Sequence, residues 1–200
     1  MDPEVKSLLD KAAIAELVQT ERAARDQGQW DRMAACYWPK SVVSISWINT
    51  SGPEFVEASK KAFAEGVRHI HHMAPTLVTL KGDRALAETG CEILLGGKIG
   101  GVAVSVTSQA RLHCRVERRN GAWKLISLTA AYFGDAMAAK NPREIPPLDS
   151  AQLASYRETY RFLAYLLAQS GKAARPDLAG IDRPDLMKRL HDAEAAWLAG

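Results

Sequence analysis

The sequence predicts an α+β fold, in which a cone-shaped, curled antiparallel sheet packs against three N-terminal helices and is followed by a C-terminal helical extension. In the first part of the 200-residue chain, apolar residues recur at helical spacing. In the middle part they alternate with polar residues between turns that contain glycine. Helices followed by a meander of strands are typical of α+β domains, because one face of the sheet then packs on the helices.

Two helices open the chain. From Glu4 to about Arg25 the apolar residues lie on one helical face, and Gly28 can take the left-handed backbone of a C-terminal cap. A shorter helix from Trp30 to Trp38 is predicted to stop at Pro39, because proline is excluded from helix interiors.

The sheet begins after these helices. The β-branched segment Val42 to Trp47 predicts a strand, and the polar residues Asn49 to Gly52 predict a loop that leads to a third helix, Pro53 to Gly66. Four extended segments separated by hairpin-type turns follow: His69 to Leu80, Arg84 to Leu95, Val102 to Arg118 and Ala122 to Phe133. A curled sheet covered by helices in this way encloses a pocket.

The composition changes near residue 140, so we assign residues 1–139 to the α+β domain and residues 140–200 to a linker and a helical extension. The proline-containing linker, Asn141 to Pro147, leads to helical segments near Ser150 to Gln169 and Pro184 to Leu198. The extension has too few apolar residues to form a domain of its own. We therefore expect it to dock on the α+β domain or on a partner subunit.

Composition and charge narrow the classes of function. The formal charge is +3, but the basic residues are scattered, which disfavours nucleic acid as a partner and leaves an anionic small substrate open. The sequence contains no run of about 18 apolar residues and no secretory signal pattern, so we expect a cytoplasmic protein that does not bind membranes. The three cysteines are odd in number and widely spaced, which argues against a disulfide framework.

Two carboxylates of the first helix are candidates for function. Asp26 stands at the C-terminal end, where the helix dipole disfavours negative charge, so its position needs another explanation. That explanation is either an ion pair with Arg22, four residues earlier, or a role in chemistry. Glu21 falls on the same helical face as Ile14 and Leu17, which aims its carboxylate toward the interior.

A histidine cluster opens the strand after the third helix. Alternation along a strand places His69 and His71 on one face and His72 on the other. Zinc needs three or more converging ligands, and the sequence has no second cluster with matching spacing, so we predict no metal and interpret His113 and His191 as structural. An aspartate that binds one ring nitrogen of a histidine raises the basicity of the other, which makes a general base near neutral pH.

The sequence lacks the motifs of nucleophilic catalysis, because it has no Gly-x-Ser-x-Gly turn and no cysteine paired with a nearby histidine. Proton transfer is therefore the simpler chemistry. Aromatic and soft side chains around the predicted pocket favour a small apolar or aromatic ligand that is held by a few polar contacts.

Four motifs together resemble the SnoaL-like branch of the nuclear-transport-factor-2-like superfamily, over about residues 8–135. They are the end of the first helix, the segment before the first strand, the histidine cluster and the turn before the last strand: Ala24 to Trp30, Tyr37 to Pro39, Ile70 to His72, and Arg119 to Leu125. The family includes polyketide cyclases, dehydratases, a dehydrochlorinase and formaldehyde-releasing lyases, as well as non-catalytic proteins.

The resemblance implies a catalytic pair. In the dehydratase-like members, an aspartate at the end of the first helix pairs with a histidine that enters the strand after the third helix. These positions match Asp26 and His71 here, and His72 is the alternative because a shift of one residue in register exchanges the two faces. The dehydrochlorinase carries an arginine on its last strand, where this chain has Leu125 to Thr129, so dehalogenation is disfavoured.

The sequence thus predicts a cofactor-independent lyase or isomerase, dehydratase-like or formaldehyde-releasing, that acts on a small hydrophobic or aromatic hydroxylated compound. Asp26 and His71 are the predicted catalytic residues, and the protein is expected to be a homodimer or homotrimer. The predicted substrate contacts are Glu21, Tyr37, Trp38, Trp47, His72, Met73 and Tyr132. The alternative is a non-catalytic ligand-binding protein or structural subunit of the same fold.

Overall fold

A computed structural model describes residues 2–200 and has the α+β fold that the sequence predicts. The helices are α1 (Pro3–Asp26), α2 (Trp30–Ala35), α3 (Gly52–Ala64), α4 (Ser150–Ala154), α5 (Arg161–Gln169) and α6 (Pro184–Ala199). The strands are β1 (Tyr37–Ile45), β2 (Ile48–Ser51), β3 (His69–Lys81), β4 (Arg84–Ile99), β5 (Val102–Arg119) and β6 (Ala122–Ala139). Among these residues, no helix has the length and hydropathy needed to cross a membrane.

The six strands form one curled sheet in the order β2-β1-β6-β5-β4-β3, which leaves β2 and β3 as its two edges. Neighbouring strands are antiparallel except β1 and β6, which run parallel. Helix α1 packs across β3, and α3 packs on β1, so the sheet curls around α1 and encloses the core on its concave side. This arrangement confirms the predicted cone-shaped sheet, and the parallel β1–β6 pair is its one departure from the antiparallel pattern.

Two local predictions about the entry to the sheet are wrong. The second helix ends at Ala35 rather than Trp38, because Cys36 and Tyr37 pair with Leu125 of β6 and the chain continues as strand β1. Residues 48–51, predicted as a loop, form the short strand β2 and pair with β1. Helix α3 begins with a capping box. The Ser51 hydroxyl accepts a hydrogen bond from the backbone amide of Glu54, and the Glu54 carboxylate accepts one from the backbone amide of Ser51.

The buried face of α1 changes character along its length, and this change positions the site. Ile14 and Val18 pack into the apolar core in the middle of the helix. In the last two turns the buried residues are Ala24 and the charged Glu21, Arg22 and Arg25. Buried charges require partners, so the C-terminal end of α1 is the polar part of an otherwise apolar interior.

The C-terminal extension docks on its own α+β domain, as expected. Leu163 and Leu167 of α5 enter the main core, and the Tyr160 ring lies 5.0 Å from the Tyr132 ring, centroid to centroid. The helix predicted near residues 150–169 is interrupted between α4 and α5. Arg157 stabilises the non-helical segment between α4 and α5, because its guanidinium donates hydrogen bonds to the carbonyl oxygens of Pro176 and Leu178.

Candidate active site

Asp26 and His71 form a hydrogen-bonded pair at the end of α1. His71 Nδ1 lies 2.7 Å from Asp26 Oδ1, and the backbone amide of His71 donates to Asp26 Oδ2, also at 2.7 Å. A carboxylate only accepts hydrogen bonds, so the neutral imidazole carries its proton on Nδ1 and leaves a lone pair on Nε2. The double contact fixes both the backbone and the ring of His71. Arg22, the alternative partner for Asp26, instead pairs with Glu21.

The local sequence explains why these two side chains meet. Gly28 has a φ of 70°, and a β-carbon there would lie 3.2 Å from the Phe63 ring, so this glycine lets α1 end close to α3. Asp26 is the last residue of α1. His71 pairs with Ile93 of β4, and strand alternation turns its side chain inward while His72 points outward.

Burial dominates the electrostatics of the pair. Burial lowers the pKa of His71 to about 4, with further lowering by the charges of Arg22 and Arg25, although the hydrogen bond that His71 donates to Asp26 opposes the shift. Burial alone would raise the pKa of Asp26, but the contacts with His71 outweigh it and the pKa is lowered. At neutral pH the pair therefore consists of a carboxylate and a neutral imidazole. We expected Asp26 to raise the basicity of His71 to near neutrality, and in the free protein burial overrides that effect.

The pair faces a two-part cavity inside the cone. We call its deeper part the inner chamber, of about 30 Å³, which is lined by His71, Ser46, Ile93, Leu112, Ala130 and Tyr132, among others. Its outer part, the vestibule, has about 320 Å³. Six residues line both parts and join them: Arg25, Trp47, His69, Leu95, Leu163 and Leu167. Asp26 lies behind His71, outside both linings, so it can orient the imidazole without touching a ligand.

The C-terminal extension supplies one wall of this cavity. Leu163 and Leu167 of α5 line both chambers, and Leu166 lines the vestibule. Lys172, just after α5, lies over the Trp47 ring with its Nζ 5.3 Å from the ring centroid. No local pattern in the sequence predicts these contacts, because they depend on where the extension docks.

Two of the seven predicted substrate contacts line the cavity. Trp47 lines both chambers. Tyr132 lines the inner chamber, and its hydroxyl oxygen accepts a hydrogen bond from the Ser46 amide at 3.0 Å. That bond uses a lone pair and leaves the hydroxyl proton of Tyr132 available to a ligand oxygen.

Glu21 and Tyr37 do not line the cavity, so their assignment as substrate contacts is corrected. The Tyr37 hydroxyl donates to Glu21 Oε1 at 2.8 Å, and the Arg22 guanidinium donates to both oxygens of the same carboxylate through Nε and Nη2. All three side chains are buried. Glu21 therefore neutralises Arg22, which itself lines the inner chamber, and the Tyr37 hydroxyl is used by Glu21, so neither Glu21 nor Tyr37 has a free group for a ligand.

Trp38, Met73 and His72 also lie outside the cavity lining. The Trp38 indole donates to the carbonyl oxygen of Glu117 at 3.0 Å, because strand β1 carries this residue away from the cone. Met73 faces inward but packs against the apolar core. His72 is exposed on the opposite face of β3, where its Nδ1 lies 4.0 Å from a Glu92 carboxylate oxygen. His71, rather than His72, is thus the inward-facing histidine.

A second histidine cluster lies on the outer face of the sheet. His113 is buried beneath α6, and its Nδ1 lies 3.2 Å from Glu194 Oε1. With His191, these residues form the one group within residues 2–200 whose ligand atoms, all within 4.8 Å of one another, have the spacing of a metal site. The covering helix explains the burial of His113, which was interpreted as structural. The cluster does not line the cavity that holds Asp26 and His71.

The fold is that of a small α+β cone protein with a histidine that lines its cavity, and comparison with known proteins agrees on the fold. Residues 6–129 match the SnoaL-like domain family, and the chain belongs to that family. A curated relative is pea pathogenicity protein 2 of Fusarium vanettenii, 26% identical over 160 residues that cover 78% of this chain and 69% of the relative.

Solved structures share the fold. A hexachlorocyclohexane dehydrochlorinase is 20% identical, with a TM-score of 0.60 over 72% of this chain and 99% of the dehydrochlorinase. A protein assigned as a scytalone dehydratase, from Novosphingobium aromaticivorans, is 13% identical, with a TM-score of 0.53 over 71% of this chain and 95% of its own. At these identities the likeness concerns the fold, and the chemistry has to be argued from the site.

Proposed function

We propose that this protein is a lyase or isomerase of the dehydratase type, in which His71 is the general base and Asp26 orients it. The observation that carries the proposal is the geometry of the pair. Asp26 accepts hydrogen bonds from the backbone amide and from Nδ1 of His71, and His71 lines the inner chamber. The remaining ring nitrogen, Nε2, is the atom available to take a proton from a ligand.

The chemistry follows from the groups around that nitrogen. His71 Nε2 takes a proton from a carbon, a carbon–carbon double bond forms, and the bond from the neighbouring carbon to a hydroxyl group breaks. The departing hydroxyl takes the proton back from the imidazolium and leaves as water. The Asp26 carboxylate stabilises the transient imidazolium, and the Tyr132 hydroxyl can donate to an oxygen that gains charge. In an isomerase, the proton would return to a different carbon of the same molecule.

The cavity suits a small apolar or aromatic substrate. Trp47, Leu163 and Leu167 supply a wall shared by the vestibule and the inner chamber, and Leu95 adds to it. The polar groups that meet the inner chamber are few, which is typical of sites that fix the orientation of a largely apolar ligand. Of the family's possible leaving groups, water and formaldehyde fit best, because the β6 residues that line the inner chamber, Ala130 and Tyr132, include no arginine that could bind a halide. For formaldehyde, His71 Nε2 would take the proton of a hydroxymethyl O–H, the carbon–carbon bond would break, and the carbon left behind would take the proton back from the imidazolium.

The alternative is a non-catalytic binding protein, and the size of the inner chamber favours it. A volume of about 30 Å³ holds little more than one water molecule, so side chains have to move before a substrate can contact His71. The two functions differ in one observable. An enzyme turns over a ligand that reaches His71, whereas a binding protein returns it unchanged.

The test is a screen of aromatic compounds that carry a hydroxyl or hydroxymethyl group next to an acidic carbon–hydrogen bond. Each compound is incubated in parallel with the protein and with the His71→Ala variant, and loss of water or formaldehyde is followed by mass spectrometry. Turnover by the native protein that is lost in His71→Ala supports the proposal. Ligands that bind to both proteins without conversion would support the binding protein instead. The cytoplasmic location and the homodimeric or homotrimeric state remain predictions.

A further inference from the structure

We propose that the cavity contains an anion-binding subsite centred on the Arg25 guanidinium, and that the natural ligand is an aromatic or apolar compound that carries a carboxylate. This inference rests on the proposed function, because it names the substrate class of the same cavity. It is independent of which bond His71 helps to break.

The hydrogen bonding of Arg25 is incomplete for a buried cation. Its side chain is 9% exposed, Nε donates to Ser59 Oγ at 3.3 Å, and Nη1 lies 3.9 Å from Asp26 Oδ1, beyond hydrogen-bond range. Within residues 2–200 the terminal nitrogens have no hydrogen-bond acceptor. Asp26 is already committed to His71, and Glu21 to Arg22. A guanidinium has five donors, so most of its capacity faces the cavity unused.

The contrast with Arg22 shows that Arg25 differs in having no carboxylate within hydrogen-bond range. Both residues lie on the buried face of α1, and both are almost fully buried. Arg22 also lines the inner chamber, but it is paired with the Glu21 carboxylate through two nitrogens, so its charge has a counter-charge within hydrogen-bond range. Arg25 has no equivalent carboxylate, and a buried cation without one is costly unless a ligand provides it.

The position of Arg25 suits an anchor for a ligand that reaches His71. Arg25 lines the vestibule and the inner chamber, and His71 lines the inner chamber. A carboxylate has the planar, two-oxygen geometry that a guanidinium binds through two parallel hydrogen bonds. With its carboxylate on Arg25, a ligand can place its apolar body against the shared wall of Trp47 and Leu163, and its reacting carbon toward Nε2.

The lining of the vestibule, like Arg25, is mostly positively charged. The vestibule is lined by the cationic side chains of Arg68, Lys98 and Lys172, against the single carboxylate of Glu65. A mostly positive lining raises the local concentration of anionic ligands. Arg68 donates to the carbonyl oxygens of Phe63 and Val67, so it contributes charge to the entrance rather than a free contact.

Occupation of the subsite would also strengthen the base. The charged and titratable groups that act on His71 are Arg22, Arg25, Asp26 and His69. The charge of Arg25 lowers the pKa of His71, so a carboxylate bound to Arg25 offsets part of that effect. A neutral ligand of the same shape cannot do this. The pKa of His71 should therefore be higher with a bound carboxylate than with the corresponding amide.

The experiment compares 2-naphthoate with 2-naphthamide, which have the same ring system and differ in charge. Affinities are measured by calorimetry for the native protein, Arg25→Gln and Arg25→Lys, with Arg189→Gln as a control that removes the same charge at an exposed position. We expect Arg25→Gln to weaken naphthoate binding by about 10- to 100-fold, the loss of a charge-assisted contact, and to leave naphthamide unchanged. Arg25→Lys should recover part of the affinity, and Arg189→Gln should match the native protein.

Three results would overturn the subsite. One is equal affinity of the native protein for naphthoate and naphthamide. This measurement does not depend on whether any variant folds. Another is a loss of naphthoate affinity in Lys98→Gln or Lys172→Gln but not in Arg25→Gln, which would place the anion at the entrance. The third is a His71 pKa, followed by the nitrogen shifts of its ring in NMR, that is the same with both ligands.

The same measurements on His71→Ala separate this inference from the proposed function. Naphthoate should bind His71→Ala with the preference over naphthamide intact, because the anchor is Arg25. If binding behaves in this way and no compound is turned over, the anion subsite stands and the catalytic proposal fails. If turnover depends on His71 but charge does not affect binding, the opposite conclusion follows.

Discussion

Substitution of Glu21 by glutamine tests whether this residue supports the fold or contacts the substrate. Its side chain is 1% exposed and that of its partner Arg22 is 3% exposed. Glutamine keeps the size of the side chain and an acceptor oxygen, so the main change is that Arg22 becomes a buried charge without a counter-charge. Removal of one partner from a buried ion pair costs about 3 to 5 kcal/mol. For a domain of this size, that corresponds to a decrease in Tm of about 6 to 20 °C.

The assay is urea unfolding followed by circular dichroism, with Glu16→Gln as the control. Glu16 lies on the same helix but is exposed, so its substitution should change stability by less than about 0.5 kcal/mol. Tyr37→Phe removes the hydrogen bond to Glu21 and should cost about 1.5 to 3 kcal/mol, because that bond has a charged acceptor. If Glu21→Gln unfolds like the native protein but binds ligands more weakly, then Glu21 is a substrate contact and the structural role is wrong.

Three further predictions address the base, the extension and the packing beneath the site. Because burial lowers the pKa of His71 to about 4, kcat/KM should stay level from neutral pH and fall only near pH 4; a fall near 6.5 would indicate a solvent-exposed base. Deletion of residues 145–200 should cause aggregation, since it uncovers Tyr132 and removes Leu163 from the core; an unchanged mass in solution and an unchanged Tm would show that the extension is dispensable. Gly52→Ala should cost about 1 to 3 kcal/mol in urea unfolding, because its β-carbon would clash with Ser41 Oγ and lie 2.7 Å from the Tyr37 ring. Native stability would mean that both side chains move aside freely.

Local patterns in the sequence were sufficient to predict the elements whose structure depends mainly on neighbouring residues. Helical periodicity placed α1 correctly, and strand alternation separated His71 from His72. The entry to the sheet could not be predicted in this way. Tyr37 and its neighbours leave the helical pattern because they pair with β6, which lies almost ninety residues further along the chain.

The composition of the site depended even more on distant contacts. Glu21 has the spacing of an inward-facing carboxylate, and only the packing shows that Arg22 and Tyr37 occupy it. The wall formed by Leu163 and Lys172 depends on how the extension docks, for which the sequence offered amphipathicity but no partner. Arg25 had one available signal, because it follows Glu21 by four residues and therefore shares its helical face.

The most direct test of the Asp26–His71 pair is a double-mutant comparison of kcat on the first substrate that the screen identifies. Asp26→Asn and His71→Ala should each lower kcat by about 10² to 10⁴, as expected for the loss of a positioned general base. The double variant should be little slower than His71→Ala, because the two residues act as one unit. Near-native kcat in both single variants, with circular dichroism spectra unchanged, would contradict the proposed chemistry and assign the pair a structural role.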